Sequence, residues 1–213
     1  GQFINHVLEA VRRLRSHPAI NLTLDNGGGT GIIDRAKYWS ERKYIFAVVA
    51  DSDKKSPNWK PSITTKKLLD EIGQYDWCAA FILPVHEIEN LIPLSVIETL
   101  DSWKSYPNRS FLIQMHDNFV RGNCDLWCHF DFKNGLRAET LAIIRAADEE
   151  WIEACLARYT IDSAAPLGSD LVGSILRSNA SMAVLFESVR KWPEAWKDFM
   201  FRLEDWFISP RQT

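Results

Sequence analysis

Seven nearly unbroken apolar positions, Tyr44-Ile45-Phe46-Ala47-Val48-Val49-Ala50, run directly into Asp51-Ser52-Asp53. An apolar run of this length without alternation predicts a strand covered on both faces, as inside a parallel sheet. Cys78-Ala79-Ala80-Phe81-Ile82-Leu83 repeats the signal, and Ile20–Leu24 predicts a shorter strand. Between them the apolar spacing turns helical. Phe3, Ile4, Val7, Leu8, Val11 and Leu14 mark a helix over Gly1–Arg15, with Arg12, Arg13 and Arg15 at the end where cations suit the helix dipole. A glycine-rich loop, Gly27-Gly28-Gly29, leads into a helix ending near Arg42, and Leu68, Leu69 and Ile72 mark another over Thr64–Gly73. Alternating helices and apolar strands predict an α/β fold with a mainly parallel sheet flanked by helices.

Beyond Pro93 the pattern becomes mostly helical. Helices are predicted over Leu94–Trp103, Ser110–Val120, Arg137–Ala147, Asp148–Tyr159, Ser169–Ser178 and Pro193–Phe207, with a strand or extended segment over Asp125–Leu136. The expected division is a metal-binding domain over 1–135 and a helical C-terminal region over 136–213. The last helix carries Trp196, Phe199, Phe201, Leu203, Trp206 and Phe207, a surface suited to a core or a subunit contact rather than to nucleic-acid stacking.

The candidate chemistry lies where the two strands end. Side chains alternate along a strand, so Asp51 and Asp53 are expected to project to one side, where open α/β sheets bind ligands. Two such carboxylates need a cation between them, and oxygen ligands without nearby His or Cys suit Mg²⁺ or Mn²⁺. An isolated Asp-x-Asp serves equally as a helix-capping turn. A second pair, Glu87 and Glu89, follows the second strand within Pro84-Val85-His86-Glu87-Ile88-Glu89-Asn90-Leu91, and two clusters at equivalent strand ends favour the metal. No zinc site is expected at Cys124-x₃-Cys128-His129, whose spacing is loose and which has no second ligand pair nearby.

Composition narrows the class only slightly. Hydrophobic content of 46% and charged content of 25% are ordinary for a globular protein. No apolar stretch approaches the length of a membrane span, and four cysteines form no dense disulfide framework, which fits a reducing cytoplasm. The net charge of −3 is uneven: residues 1–70 hold 12 Lys/Arg against 7 Asp/Glu, and residues 71–213 hold 13 against 21. A basic N-terminal part around an acidic site can attract a polyanion, although solvated helix faces give the same count.

Taken together, the glycine loop, Asp51-x-Asp53 and Glu87-Ile88-Glu89-Asn90-Leu91 in their order of helices and strands resemble the Toprim fold. The nearest likeness is to the nucleases of the overcoming-lysogenization-defect group and related bacterial antiviral effectors. The resemblance covers about residues 1–93, with an echo at Asp131-Phe132-Lys133-Asn134-Gly135. It implies that Asp51 and Asp53 are metal ligands, that Glu87 and Glu89 lie at or beside a second metal, and that Lys133 matches a family lysine near the site. The family's catalytic glutamate belongs to a strand before the helix matched by Gly1–Arg15, and is expected upstream of Gly1 in the natural chain.

The expected function is Mg²⁺- or Mn²⁺-dependent cleavage of DNA or RNA, with Asp51, Asp53, Glu87 and Glu89 holding metal and Lys133 offsetting phosphate charge. His86 could shuttle a proton, although a lone histidine beside a strand end is more often a structural hydrogen-bonder. The expected partners are a nucleic-acid substrate and a protein, either an ATPase or sensor subunit or a second copy held through the aromatic C-terminal helix, with no membrane. The alternative is a non-catalytic Toprim-like subunit of a larger complex. A glycosyltransferase does not account for Glu87 and Glu89, and a phosphatase would need Thr where Lys55 stands.

Overall fold

The computed structural model describes residues 2–18, 21–25, 31–159, 161 and 163–208. It is a mixed α/β protein, mostly helical, with a small parallel sheet flanked by helices. Among the described residues no helix is long and apolar enough to cross a membrane. The chain forms two compact units: 1–52, 61–84 and 194–213 make the first, 53–60 and 85–193 the second.

The first unit contains α1 (Gln2–Leu14), α2 (Gly31–Glu41), β1 (Phe46–Ala50), α3 (Ile63–Ile72), β2 (Cys78–Ile82) and, from the far end of the chain, a helix over Glu194–Ile208. β1 and β2 pair in parallel, Phe46 opposite Cys78 through Ala50 opposite Ile82, as the two apolar runs predict. Phe46, Val48, Ala50, Ala80 and Ile82 share the face that packs on Ala36 of α2 and on Leu68 and Ile72 of α3. Phe81 on the opposite face meets Phe199 of the Glu194–Ile208 helix edge-on, ring centroids 6.2 Å apart. Helices therefore cover both faces, but with two strands the burial of β1 is only partial, and Ile45 before it is 64% exposed.

Ser62 caps α3 by accepting the N–H of Thr65 at 3.1 Å. The Glu194–Ile208 helix packs against α1, and it directs Trp196, Phe199, Met200 and Leu203 into its own unit's core. Most of its apolar face is thus satisfied within the chain.

Two expectations need correction here. Residues 21–25 form no strand. Leu24 is 45% exposed, and Asp25 is tied to α2 by the Trp39 indole N–H at 2.9 Å, so nothing places this stretch in the sheet. Ile20 and Gly27-Gly28-Gly29 lie outside the described residues. The strand alternation assumed for the acids also stops early: β1 ends at Ala50, and Asp53 adopts a left-handed backbone with φ +55°.

The second unit holds a 3₁₀ turn (Ile88–Leu91), α4 (Leu94–Ile97), α5 (Asp101–Lys104), α6 (Arg109–Val120), α7 (Leu126–His129), α8 (Ala138–Leu156), α9 (Leu171–Leu176) and α10 (Asn179–Ser188), so that the Glu194–Ile208 helix of the first unit is α11. Its fully buried centre includes Leu91, Ile97, Leu112, Met115, Leu126, Trp127, Phe130 and Phe132. The extended segment expected over Asp125–Leu136 is instead the short helix α7 and a turn. Leu126, Trp127 and Phe130 follow i, i+1, i+4 spacing and all enter the core, which overrides the β-propensity of the aromatics. The expected helix over Leu94–Trp103 is the two short helices α4 and α5. The two helices expected to meet at Asp148 are continuous as α8 but kink at that residue, whose φ/ψ of −159°/63° is non-helical. α10 was absent from the sequence reading, yet Ser178 caps it from the N–H of Ser181 at 3.2 Å.

Candidate functional site

The candidate site lies in the second unit, where residues 86–90 and 127–135 are stitched together. Asn90 is wholly buried, and its side chain does most of the stitching. Its Oδ1 accepts the N–H of Glu87 at 2.8 Å, while Nδ2 donates to the carbonyls of Trp127 at 2.5 Å and Phe130 at 2.9 Å. The Trp127 indole returns a hydrogen bond to the Asn90 carbonyl at 3.0 Å, and the N–H of His86 donates to the Cys128 carbonyl at 2.7 Å. With the Asn90 amide and these backbone groups paired, the backbone that carries Glu87 and Glu89 is held firmly.

The second segment is a tight turn built by Asp131. Its Oδ1 accepts the N–H groups of Lys133 at 3.1 Å and Asn134 at 2.8 Å, and its Oδ2 accepts the Asn134 side-chain amide at 2.9 Å. Such side-chain-to-backbone bonding is how Asp makes turns. Gly135 closes the turn at φ +73°, where a Cβ would stand 2.2 Å from the Ala164 carbonyl oxygen, so only glycine fits. The turn presents Lys133 to both acids: its Nζ lies 3.4 Å from Glu87 Oε2 and 3.3 Å from Glu89 Oε1.

Glu87 and Glu89 thus face the Lys133 ammonium, and Glu87 and Asp131 adjoin the His86 imidazole. The Glu89 side chain is 4% exposed. Ligand atoms of His86, Glu87 and Asp131 all come within 4.8 Å of one another, with His86 Nε2 3.9 Å from Asp131 Oδ2. That last separation is electrostatic contact, too long for a hydrogen bond. Burial raises the Glu87 pKa; Lys133 and His86 pull against it, while Glu89 and Asp131 push with it. Burial would also raise Asp131, but the nearby His86 and the donors of Asn134 outweigh it and hold Asp131 well below the usual carboxylate range. Glu89 Oε2 and His86 Nδ1 are buried without a hydrogen-bond partner, and Glu87 Oε2 meets the Lys133 ammonium only outside hydrogen-bond geometry. Buried acceptors left without donors are costly, and a bound cation relieves that cost. Carboxylate oxygens with one imidazole suit Mg²⁺ or Mn²⁺.

Of the residues expected from sequence, Glu87, Glu89 and Lys133 come together in this cluster. Asp53 is joined to it through the backbone, its N–H donating to the His86 carbonyl at 3.1 Å, while its side chain is exposed. Asp51 is half-buried just past the end of β1 in the first unit. Sequence reasoning gave no role to Asn90 or Asp131. The signal for Asp131 was the Asp-x-x-Asn-Gly turn signature; for Asn90 there was none, because its role rests on carbonyls 37 and 40 residues away. No family model, curated protein or solved structure matches this chain.

Proposed function

We propose that the chain is a divalent-metal-dependent nuclease that cleaves phosphodiester bonds of DNA or RNA, of the Toprim type its motifs resemble. The observation that carries this reading is Glu89 Oε2, buried without a hydrogen-bond partner on a carboxylate that shares the Lys133 ammonium with Glu87, which in turn adjoins His86 and Asp131. Glu87 and Glu89 are the proposed ligands, with Asp53 of the same unit added on the strength of the Asp-x-Asp sequence. Bound there, Mg²⁺ or Mn²⁺ would supply a water acidic enough to act as nucleophile at neutral pH. Lys133 neutralises charge on the phosphate that enters, and its fixed turn means little reorganisation is needed. His86, oriented by its backbone bonds, stands beside Asp131 and can take up the proton released. A cytoplasmic antiviral effector acting with a protein partner is the setting the resemblance suggests.

The Lys133 contacts favour a second reading. An ammonium already placed between Glu87 and Glu89 can serve as a permanent structural counter-ion, making this a non-catalytic Toprim-like subunit. A cleavage assay on the full-length natural protein, in its active assembly, with Mg²⁺ or Mn²⁺ and with EDTA, separates the two. The nuclease reading expects metal-dependent cleavage that Glu89→Gln abolishes; cleavage unaffected by Glu89→Gln contradicts it.

A further inference from the structure

The second unit contains another group of metal-type side chains that the nuclease reading does not use. Cys124, just after α6, and Cys155, in the last turn of α8, bring their buried Sγ atoms 2.8 Å apart across 31 residues of sequence. A carboxylate oxygen of Asp125 lies within 4.8 Å of both sulfurs. We propose that Cys124, Cys155 and Asp125 form the core of a structural site for a zinc-class cation, which His129 beside Asp125 joins on binding, and that this site pins α8 to the loop between α6 and α7.

The arrangement around Asp125 and His129 supports this assignment. The Trp151 indole donates to Asp125 Oδ1 at 2.7 Å, which orients the carboxylate and leaves Oδ2 for another partner. His129 is buried, and its Nδ1 lies 3.0 Å from the Lys54 carbonyl, so that nitrogen must carry the proton. In the neutral imidazole this leaves the Nε2 lone pair facing Asp125 Oδ2 at 3.7 Å. That separation is too long for a hydrogen bond and equals one edge of a tetrahedral zinc site. A backbone carbonyl fixing the far nitrogen is the usual support of a metal-binding histidine. Ligand atoms of a tetrahedral zinc site stand about 3.3–3.8 Å apart, given Zn–S of about 2.3 Å and Zn–O or Zn–N of about 2.1 Å. The Asp125–His129 edge already has this length, and the two sulfurs need to part by about 1 Å. Tyr159, buried against Cys124, has a hydroxyl that meets hydrogen-bond geometry with no group, a donor suited to a metal-bound thiolate.

The donor set selects the ion. Thiolate and imidazole ligands favour zinc over Mg²⁺ or Mn²⁺, so this site and the carboxylate cluster discriminate between cations. Binding is not a redox step: both thiols lose their protons to solvent, and two metal–sulfur bonds form in place of two S–H bonds. The loose Cys124-x₃-Cys128-His129 spacing conceals the site because Cys155, not Cys128, is the second sulfur.

The test uses the full chain, purified without a metal-chelating tag, with elemental analysis and Co²⁺ substitution. Expected are stoichiometric zinc that survives gel filtration and, after replacement, the near-ultraviolet charge-transfer absorption of cobalt bound to thiolate. Cys124→Ser and Cys155→Ser should each weaken zinc retention by at least about 100-fold. Glu87→Gln/Glu89→Gln should leave the cobalt–thiolate absorption intact, which separates this site from the carboxylate cluster. Absence of both zinc and the cobalt–thiolate absorption in the wild-type chain overturns the proposal. So does an unreduced chain lighter by two hydrogens, the mass of a Cys124–Cys155 disulfide. Because the cobalt spectrum is read on the wild-type protein, a serine variant that fails to fold does not blunt the test.

Discussion

Each unit contains a buried cluster of charged side chains, and the two are built on opposite terms. In the first unit Glu204 is wholly buried and both its oxygens are partnered: Oε2 by Arg15 at 2.7 Å and Oε1 by His17 Nδ1 at 2.9 Å. Arg15 reaches Asp205 as well, at 2.8 Å. Every group has an opposite, and the cluster joins α1 to α11. In the second unit Glu87, Glu89 and Asp131 outnumber Lys133; Glu87 Oε2 meets the Lys133 ammonium at 3.4 Å, and Glu89 Oε2 is buried without a hydrogen-bond partner. A satisfied buried ion cluster holds elements together, whereas one with unmet acceptors lowers stability and persists for a ligand. The contrast, rather than the presence of charge, is what motivates the proposed cation site in the second cluster.

The largest expected effect is on activity. Glu89→Gln keeps the shape of the side chain but removes a carboxylate from the cluster, and should reduce metal-dependent cleavage by at least about 100-fold. Its thermal stability should be unchanged or slightly higher, since a crowded acid is relieved. Glu204→Gln should do the reverse. Arg15 would face a neutral partner, costing about 2–3 kcal/mol because it keeps some solvent contact, with cleavage retained. Thermal melting of the two variants side by side checks this, with Glu204→Gln falling by about 5–10 °C. Equal destabilisation by both would erase the distinction between the clusters.

Lys133→Met sharpens the comparison further. Removing the ammonium takes away a competitor for the carboxylates, so Mn²⁺ affinity should rise by about 3- to 10-fold while cleavage falls. Isothermal titration and a cleavage assay on the same preparation test the pair of shifts; a fall in both would favour a purely structural lysine.

The smallest effect is in pH dependence. Asp131 is held well below its ordinary value of 3.8, so it adds stability that is fully present above that value and is lost as pH falls further. Glu87, raised by burial, works in the opposite sense: its protonated form is favoured in the folded chain, so it lowers stability as pH climbs from 4.5 through its raised value. Asp131→Asn should therefore flatten the acid side of a melting-temperature profile, and Glu87→Gln should flatten the rise in cost above pH 4.5. Unchanged profiles would mean these groups titrate alike in folded and unfolded chains.

How far the sequence revealed this arrangement depended on the range of the interaction. β1, β2, α2, α3 and α6 were legible because uninterrupted apolar runs and helical spacing are local signals, and their parallel pairing followed from the helix between them. The Ile20–Leu24 strand failed because an apolar pentapeptide cannot reveal whether a sheet accepts it. Asp125–Leu136 was misread because aromatic residues fit strand and buried helix equally, and only the core they fill decides. In the site, Glu87 and Glu89 were visible as a pair spaced by two, and Lys133 through resemblance. Asn90 and the Cys124–Cys155 contact depend on partners brought together by the fold, so residue spacing alone could not show them, whereas Asp131 was marked only by its local turn signature.

The central claim is that His86, Glu87, Glu89, Asp131 and Lys133 form a cation site rather than a closed ion cluster. Titration of Mn²⁺ into the full chain, followed by loss of the free-ion paramagnetic resonance signal, tests it most directly. Saturable binding in the wild-type protein that disappears in a folded Glu87→Gln/Glu89→Gln variant is the predicted result; undiminished Mn²⁺ binding by that variant, or none by the wild type, would contradict it.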